Sequence, residues 1–341
     1  VGSPYAGRTL VELDRNLSDA GYFARVEVRP LRDRIDDGAV PIRVDLEALP
    51  RHAWRAGVGY ATDTGPRVSL GYANRLVNRK GHRFDSELRL SPIESGVTAD
   101  YLIPGGDPRT RFFNIGLSLL HEVTESTTSN SARLAGLYTR VHDDWTDTRF
   151  LELLHERSVI GSDITESTLL MPGIGLRRTQ ADDVLRTRRG YRLNLEVRAA
   201  HEALLSSTSL VQVKGSAKGI YRFGDGGRVT ARTNLGLTLG GEFFELPASL
   251  RFFAGGDNSV RGYAYKSLSP LDEDGEAIGG RHLVTTSLEY EYPVAGEDWW
   301  AGAFADAGNA FDTENFDMKY GIGGGVRWYS PIGRLRLDLA F

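Results

Sequence analysis

Cysteine is absent from all 341 residues, so the chain can build neither a disulfide framework nor a thiolate metal site. No apolar run reaches the roughly 18 residues that a membrane-spanning helix requires. The 7 histidines are scattered, without the HxH or HExxH spacing that sets two imidazoles on one metal, and no zinc site is expected. No serine–histidine constellation stands out, which disfavours a barrel lipase. A net charge of only −4 argues against a nucleic-acid surface, so no nucleic-acid partner is expected.

Two acidic stretches imitate functional motifs without their chemistry. Asp63-Thr64-Gly65 resembles an aspartic-protease triplet, but there is one copy, and the acid–base work needs a second carboxylate sharing its proton. It reads as a hairpin turn. Asp272-Glu273-Asp274-Gly275 lacks the spaced ligands and closing glutamate of a calcium loop and reads as a solvated turn.

What the chain does have is alternation. Tyr191, Leu193, Leu195 and Val197 point one way along a strand, while Arg192, Asn194, Glu196 and Arg198 point the other. A sandwich with a dry core would be ruined by that polar face. A large barrel tolerates it, with a wet lumen inside and lipid outside. The pattern returns at Phe84–Leu90, Phe113–Leu119, Val229–Leu239 and Leu335–Phe341. Turn signals divide these segments, among them Asn78-Arg79-Lys80-Gly81 and Asp225-Gly226-Gly227. About fifteen such segments follow His52. Trp54, Tyr60, Tyr72, Trp145, Trp299, Trp300, Trp328 and Tyr329 fall near segment ends, where interfacial girdles belong. The fold class expected is all-β: a transmembrane antiparallel β-barrel over residues 51–341, of the 16-stranded type because single-chain bacterial barrels have even strand numbers.

Residues 1–50 read differently. Leu10, Leu13 and Leu17 recur at helical spacing before Gly21, and short strands are expected at Phe23–Arg29 and Val40–Leu46 around a turn at Asp33–Gly38. By itself this is an ordinary small α/β cap. Three elements bury little apolar surface, so it needs the barrel to dock on.

One stretch stands out from the alternation: Leu250–Pro270, LRFFAGGDNSVRGYAYKSLSP, inside a loop expected over 241–280. Long loops without secondary structure are uncommon unless functional. Arg261 sits near its centre among Gly255, Gly256 and Gly262, a setting that lets backbone approach backbone closely and that a merely solvated arginine would not need.

The tetrad Val260, Arg261, Gly262, Tyr263, with FFAGG before it and SLSP after it, resembles the conserved sixth extracellular loop of the BamA-like outer-membrane insertase superfamily. Within that superfamily the longer string is most similar to the TamA branch. The resemblance implies that the loop folds into the lumen and that Arg261 pairs with acids on the wall. Glu289 in Ser287-Leu288-Glu289-Tyr290 and Asp306 in Phe304-Ala305-Asp306-Ala307-Gly308 match the family's motifs. Alternation independently places Thr285, Ser287, Glu289 and Glu291 on one polar face. The resemblance also implies that residues 1–50 are the C-terminal part of the last POTRA domain, lying in the periplasm before a bacterial outer-membrane barrel.

In this superfamily the first and last strands meet at a weak seam that is proposed to open sideways for client strands. The corresponding residues here are Trp54, Gly57 and Gly59 on one side and Leu335, Leu337 and Leu339 on the other. Strand-interior glycines weaken pairing, but they also accommodate tilt or bulky neighbours, and the residues alone leave both readings open. Ser330–Gly333 followed by LRLDLAF matches the family's second-last strand, so a final strand is expected beyond Phe341; the alternative takes Phe341 as the terminal aromatic of a complete barrel.

The function implied is a non-enzymatic insertase or translocase, without a cofactor, for autotransporters and other unfolded outer-membrane proteins. Its partners would be the lipid bilayer and a TamB-like protein anchored in the inner membrane. The alternatives are a two-partner secretion transporter of the same superfamily and a passive porin-like channel.

Overall fold

In the computed structural model residues 5–341 are described, except 36–38, 108, 162, 184–186, 225, 297, 313–315 and 332. Parts of the turns expected at Asp33–Gly38 and Asp225–Gly227, and Ile332 of Ser330–Gly333, therefore lie outside the described residues.

Helix α1 (Gly7–Asp19) precedes strands β1 (Phe23–Pro30) and β2 (Ile42–Ala48), which pair antiparallel as a separate two-stranded sheet. The second strand begins two residues later than Val40. This small unit docks on the turns of the larger sheet. The Tyr22 hydroxyl donates to the Gly81 carbonyl at 2.7 Å, Arg83 donates to the Ala20 carbonyl, and Arg109 donates to the Asn16 side chain.

From His52 the chain runs as fifteen antiparallel strands in one sheet, each hydrogen-bonded to its neighbours in sequence. They are β3 (His52–Ala61), β4 (Gly65–Asn74), β5 (Arg83–Leu90), β6 (Glu94–Pro104), β7 (Arg111–Val123), β8 (Thr127–His142), β9 (Trp145–Ile160) and β10 (Asp163–Ala181). After them come β11 (Arg189–Ala200), β12 (Leu210–Arg222), β13 (Arg228–Leu239), β14 (His282–Ala295), β15 (Trp299–Phe311), β16 (Lys319–Ser330) and β17 (Gly333–Ala340). The edges are β3 and β17, and no ladder joins them among the described residues.

The burial pattern inverts that of a water-soluble protein. Leu193, Leu195 and Val197 are exposed, as are Ile115, Leu117, Leu235 and Leu337 on other strands. Ser129, Glu156, Ser167, Gln212, Thr238 and Glu291 are buried on the inner face. An apolar belt running across successive strands is far larger than the patches water tolerates, and it marks a lipid-facing exterior. The register at Leu193–Arg198 is the one that alternation requires.

Two aromatics depart from the girdle reading. Trp300 is buried on the inner face with Arg228 5.5 Å from its ring, and Tyr329 accepts from Arg228 on the same side. Trp299 and Trp300 are consecutive in an extended strand, so they must point to opposite faces. Trp299 keeps the outer side, stacked on Trp328 at 5.4 Å.

Wall height is uneven. The strands β8, β9 and β10 have 16, 16 and 19 residues, whereas β5 and β17 have 8 and β3 and β4 have 10. A transmembrane strand needs about 9–11 residues, so the wall is tall opposite the edges and barely membrane-spanning near them.

Candidate functional site: the loop lock and the strand edges

The connection between β13 and β14 does not project away from the barrel. It enters the space enclosed by the sheet and fastens to the wall at four places. Its first part packs Leu246 and Leu250 into a small apolar cluster with Leu154, Leu169 and Met171 of the tall strands and Leu210 of β12. Main-chain groups are satisfied there as well: Thr165 and Ser167 donate to the carbonyls of Phe244 and Glu245, each at 3.0 Å, and Gln212 donates to that of Leu250 at 2.8 Å. Across the lumen, Lys266 reaches Glu122 of β7.

The tip is the third anchor. Val260 is wholly buried with Ala254 and Leu268, which presses the next residue onto the wall. Arg261 donates from Nε and Nη2 to the two oxygens of Asp306 at 2.6 and 2.8 Å, and its backbone N–H donates to the same carboxylate at 3.1 Å. Its Nη1 reaches Glu289 at 2.9 Å, and Nη2 reaches the Ser287 hydroxyl at 3.2 Å. The guanidinium lies over the Phe304 ring, 3.4 Å from its centroid. Burial disfavours the arginine's charge, but Asp306 and Glu289 outweigh it and hold the pKa above its ordinary value. Gly262 has φ +94°, a region that side chains rarely adopt, and this turns the chain away from the wall just after Arg261. Tyr263 packs against the Val260 cluster.

The pairs expected with Glu289 and Asp306 are therefore both present, within a larger network. Arg327 of β16, completely buried, donates to Glu289 at 2.9 Å, to Glu291 at 3.1 Å and to Asp338 of β17. Arg228 and Arg334 also reach Glu291. Asp338 in turn lies 3.3 Å from Nη1 of Arg261. Four arginines and four carboxylates thus tie the loop tip to β14, β15, β16 and the edge strand β17. Sequence reasoning missed Arg327 and Asp338, although period two places both on the inner face with Arg334 and Glu289.

A second link reaches both edges. The Asp257 backbone N–H donates to Asp63 at 2.9 Å, and Thr62 donates to the Asp257 carboxylate at 3.2 Å, both at the end of β3. Arg336 of β17 donates to the Asp257 carbonyl at 3.2 Å. Asp63, a turn residue by sequence, is thus also a docking point for the loop. Of the residues expected at the edges, Trp54, Leu335, Leu337 and Leu339 face outward and are exposed. Gly57 and Gly59 lie across from Ser69 and Arg67 of β4, whose side chains occupy the space a Cβ would need. Among the described residues no group of three or more His, Cys, Asp or Glu is placed to hold a metal.

An antiparallel barrel with a lipid-facing belt, filled by its own longest loop and bolted by a buried arginine beside its edge strand, is an arginine-locked membrane barrel. The chain belongs to the Omp85 superfamily, whose domain profile matches residues 53–341. It is 35% identical over 117 residues to the outer membrane protein assembly factor BamA of Nitratidesulfovibrio vulgaris, a stretch covering 32% of this chain and 15% of that protein. Among solved structures it resembles BamA from Haemophilus ducreyi lacking POTRA domains 1–3, with a TM-score of 0.83 at 17% identity, covering 99% of this chain and 75% of that one. It also resembles CdiB from Acinetobacter baumannii, with a TM-score of 0.62 at 15% identity over 97% of this chain and 64% of the other. The aligned segment is a small part of the BamA sequence, and the likeness to the solved structures is one of fold.

Proposed function

We propose that this chain is the barrel end of a bacterial outer-membrane insertase or translocase that helps unfolded outer-membrane proteins, autotransporters among them, to assemble. Superfamily membership and the relative named as an outer membrane protein assembly factor support the class. The observation that carries the mechanism is Asp257, which the loop holds against the end of β3 and against Arg336 of β17, so that it touches both edge strands. Edge strands present unpaired N–H and C=O groups, which are a template for another strand and costly to leave bare in hydrocarbon. Short strands near the edges add a thin stretch of wall, where the surrounding bilayer would have to thin. The work is strand templating beside a locally disturbed membrane, with no covalent step and no cofactor.

Within the superfamily we assign the chain to the TamA branch, on the Leu250–Pro270 string. That reading makes residues 1–50 the end of a periplasmic POTRA domain and brings in a TamB-like inner-membrane-anchored partner. A passive porin-like channel fits less well, because the loop occupies the lumen and is fastened at four places. Planar-bilayer recording of the purified protein separates the two. The insertase reading expects low, intermittent conductance and faster folding of an autotransporter β-domain when the protein is present in liposomes. Steady high conductance with no effect on client folding would overturn it.

A further inference from the structure

Arg111 opens β7 and Arg140 lies near the end of β8, and the two are direct register partners. Like charges directly opposite one another destabilise a sheet. Neither guanidinium has a carboxylate within salt-bridge distance among the described residues. Asp107 pairs with Arg109 at 3.4 Å and Asp19 with Arg15 at 3.5 Å, while Asp147, the register partner of Arg140 on β9, makes no ion pair with it and lies 3.8 Å from His142. The pair opens onto a cavity of about 720 Å³ between α1 and the barrel rim, lined also by Arg15, Arg83 and Arg109. Five arginines there face two acids, Asp19 and Asp143.

The pair's setting identifies the ligand. Alternation puts Arg111 on the same face of β7 as Phe113, Ile115 and Leu117, and Arg140 on the same face of β8 as Leu134 and Tyr138. Phe113 and Tyr138 are themselves register partners, one step toward the membrane centre. Two guanidiniums outside any ion pair among the described residues therefore sit where the apolar belt ends, on the side where the N-terminal unit docks. A phosphate fits their planar forks, and acyl chains fit the belt above.

We propose that Arg111 and Arg140 bind the phosphate of an anionic phospholipid in the leaflet on the N-terminal side, with the cavity wall from α1 closing over the headgroup. The site depends only on the lipid-facing belt and stands apart from the insertase reading.

The test is native mass spectrometry of the whole chain, released from detergent with phosphatidylglycerol or phosphatidylcholine of identical acyl chains. Two arginines near a membrane surface predict roughly tenfold or greater retention of phosphatidylglycerol. Arg111→Gln with Arg140→Gln should abolish the preference, and Arg111→Lys with Arg140→Lys should keep most of it. Heat-modifiable migration on gels checks that each variant is folded; if the double glutamine variant is not, Arg140→Gln alone should reduce the preference. Equal retention of both lipids by the wild type, or a preference that survives in the folded double variant, would overturn the proposal. So would displacement of the lipid by equimolar sn-glycerol 3-phosphate, which would indicate a soluble-phosphate site, or by a deca-glutamate peptide, which would indicate an acidic protein segment.

Discussion

Arg261 and Asp306 are joined by two guanidinium N–H···O bonds, 2.6 Å from Nε and 2.8 Å from Nη2, and the Asp306 side chain is completely buried. Removing one member of such a pair typically costs about 3–5 kcal/mol, because the other charge is left uncompensated. Arg261→Ala should therefore lower the temperature at which the barrel loses its heat-modifiable migration and expose the Leu250–Pro270 segment to protease. Arg261→Lys keeps the charge without the planar fork and should fall between the two. Wild-type resistance in Arg261→Ala would mean that the other anchors suffice.

Asp338 separates the lock from the edge. It is shared by Arg261 and Arg327, while Asp306 holds Arg261 without it. Asp338→Asn should leave the loop protected from protease but speed hydrogen exchange along β17. Unchanged exchange in β17 would show that the edge is held by its ladder with β16 alone.

Gly321 of β16 lies directly beneath the loop tip, where a Cβ would overlap the Arg261 carbonyl oxygen. Backbone cannot yield as a flexible side chain can, so Gly321→Val should displace the tip and reproduce the protease sensitivity of Arg261→Ala. Gly219→Ala is the control, since nothing lies within 4 Å of a Cβ there.

Leu195 stands mid-strand on the outer face of β11. An arginine at the bilayer midplane of a barrel costs about 2–4 kcal/mol, so Leu195→Arg should destabilise the protein measurably in lipid vesicles. No loss of stability would contradict the lipid-facing register.

The barrel was legible because period two leaves little choice: once Leu193, Leu195 and Val197 share a face, Asn194, Glu196 and Arg198 must share the other. The Arg261 partners were legible through motifs on either side of them and through the polar face of β14. Arg327 and Asp338 carried the same periodic signal, but charged residues alternate along nearly every strand, and nothing local marks those two. The Asp257 contacts had no signal at all. Those to Asp63 and Thr62 join residues 194 and 195 apart, and only the curl of the sheet brings them together. Trp300 and Tyr329 were placed in the girdle by position along the strand, when their parity pointed inward.

In the proposed function, client strands enter between the edges flanked by the loop. The chain has no cysteine, so an introduced pair can be followed cleanly. A cysteine at Gly57 of β3, paired with one on the strand across the seam from it, locks the seam when oxidised. With the crosslink verified, autotransporter assembly should stop and should recover on reduction. Undiminished assembly through a locked seam would contradict the account.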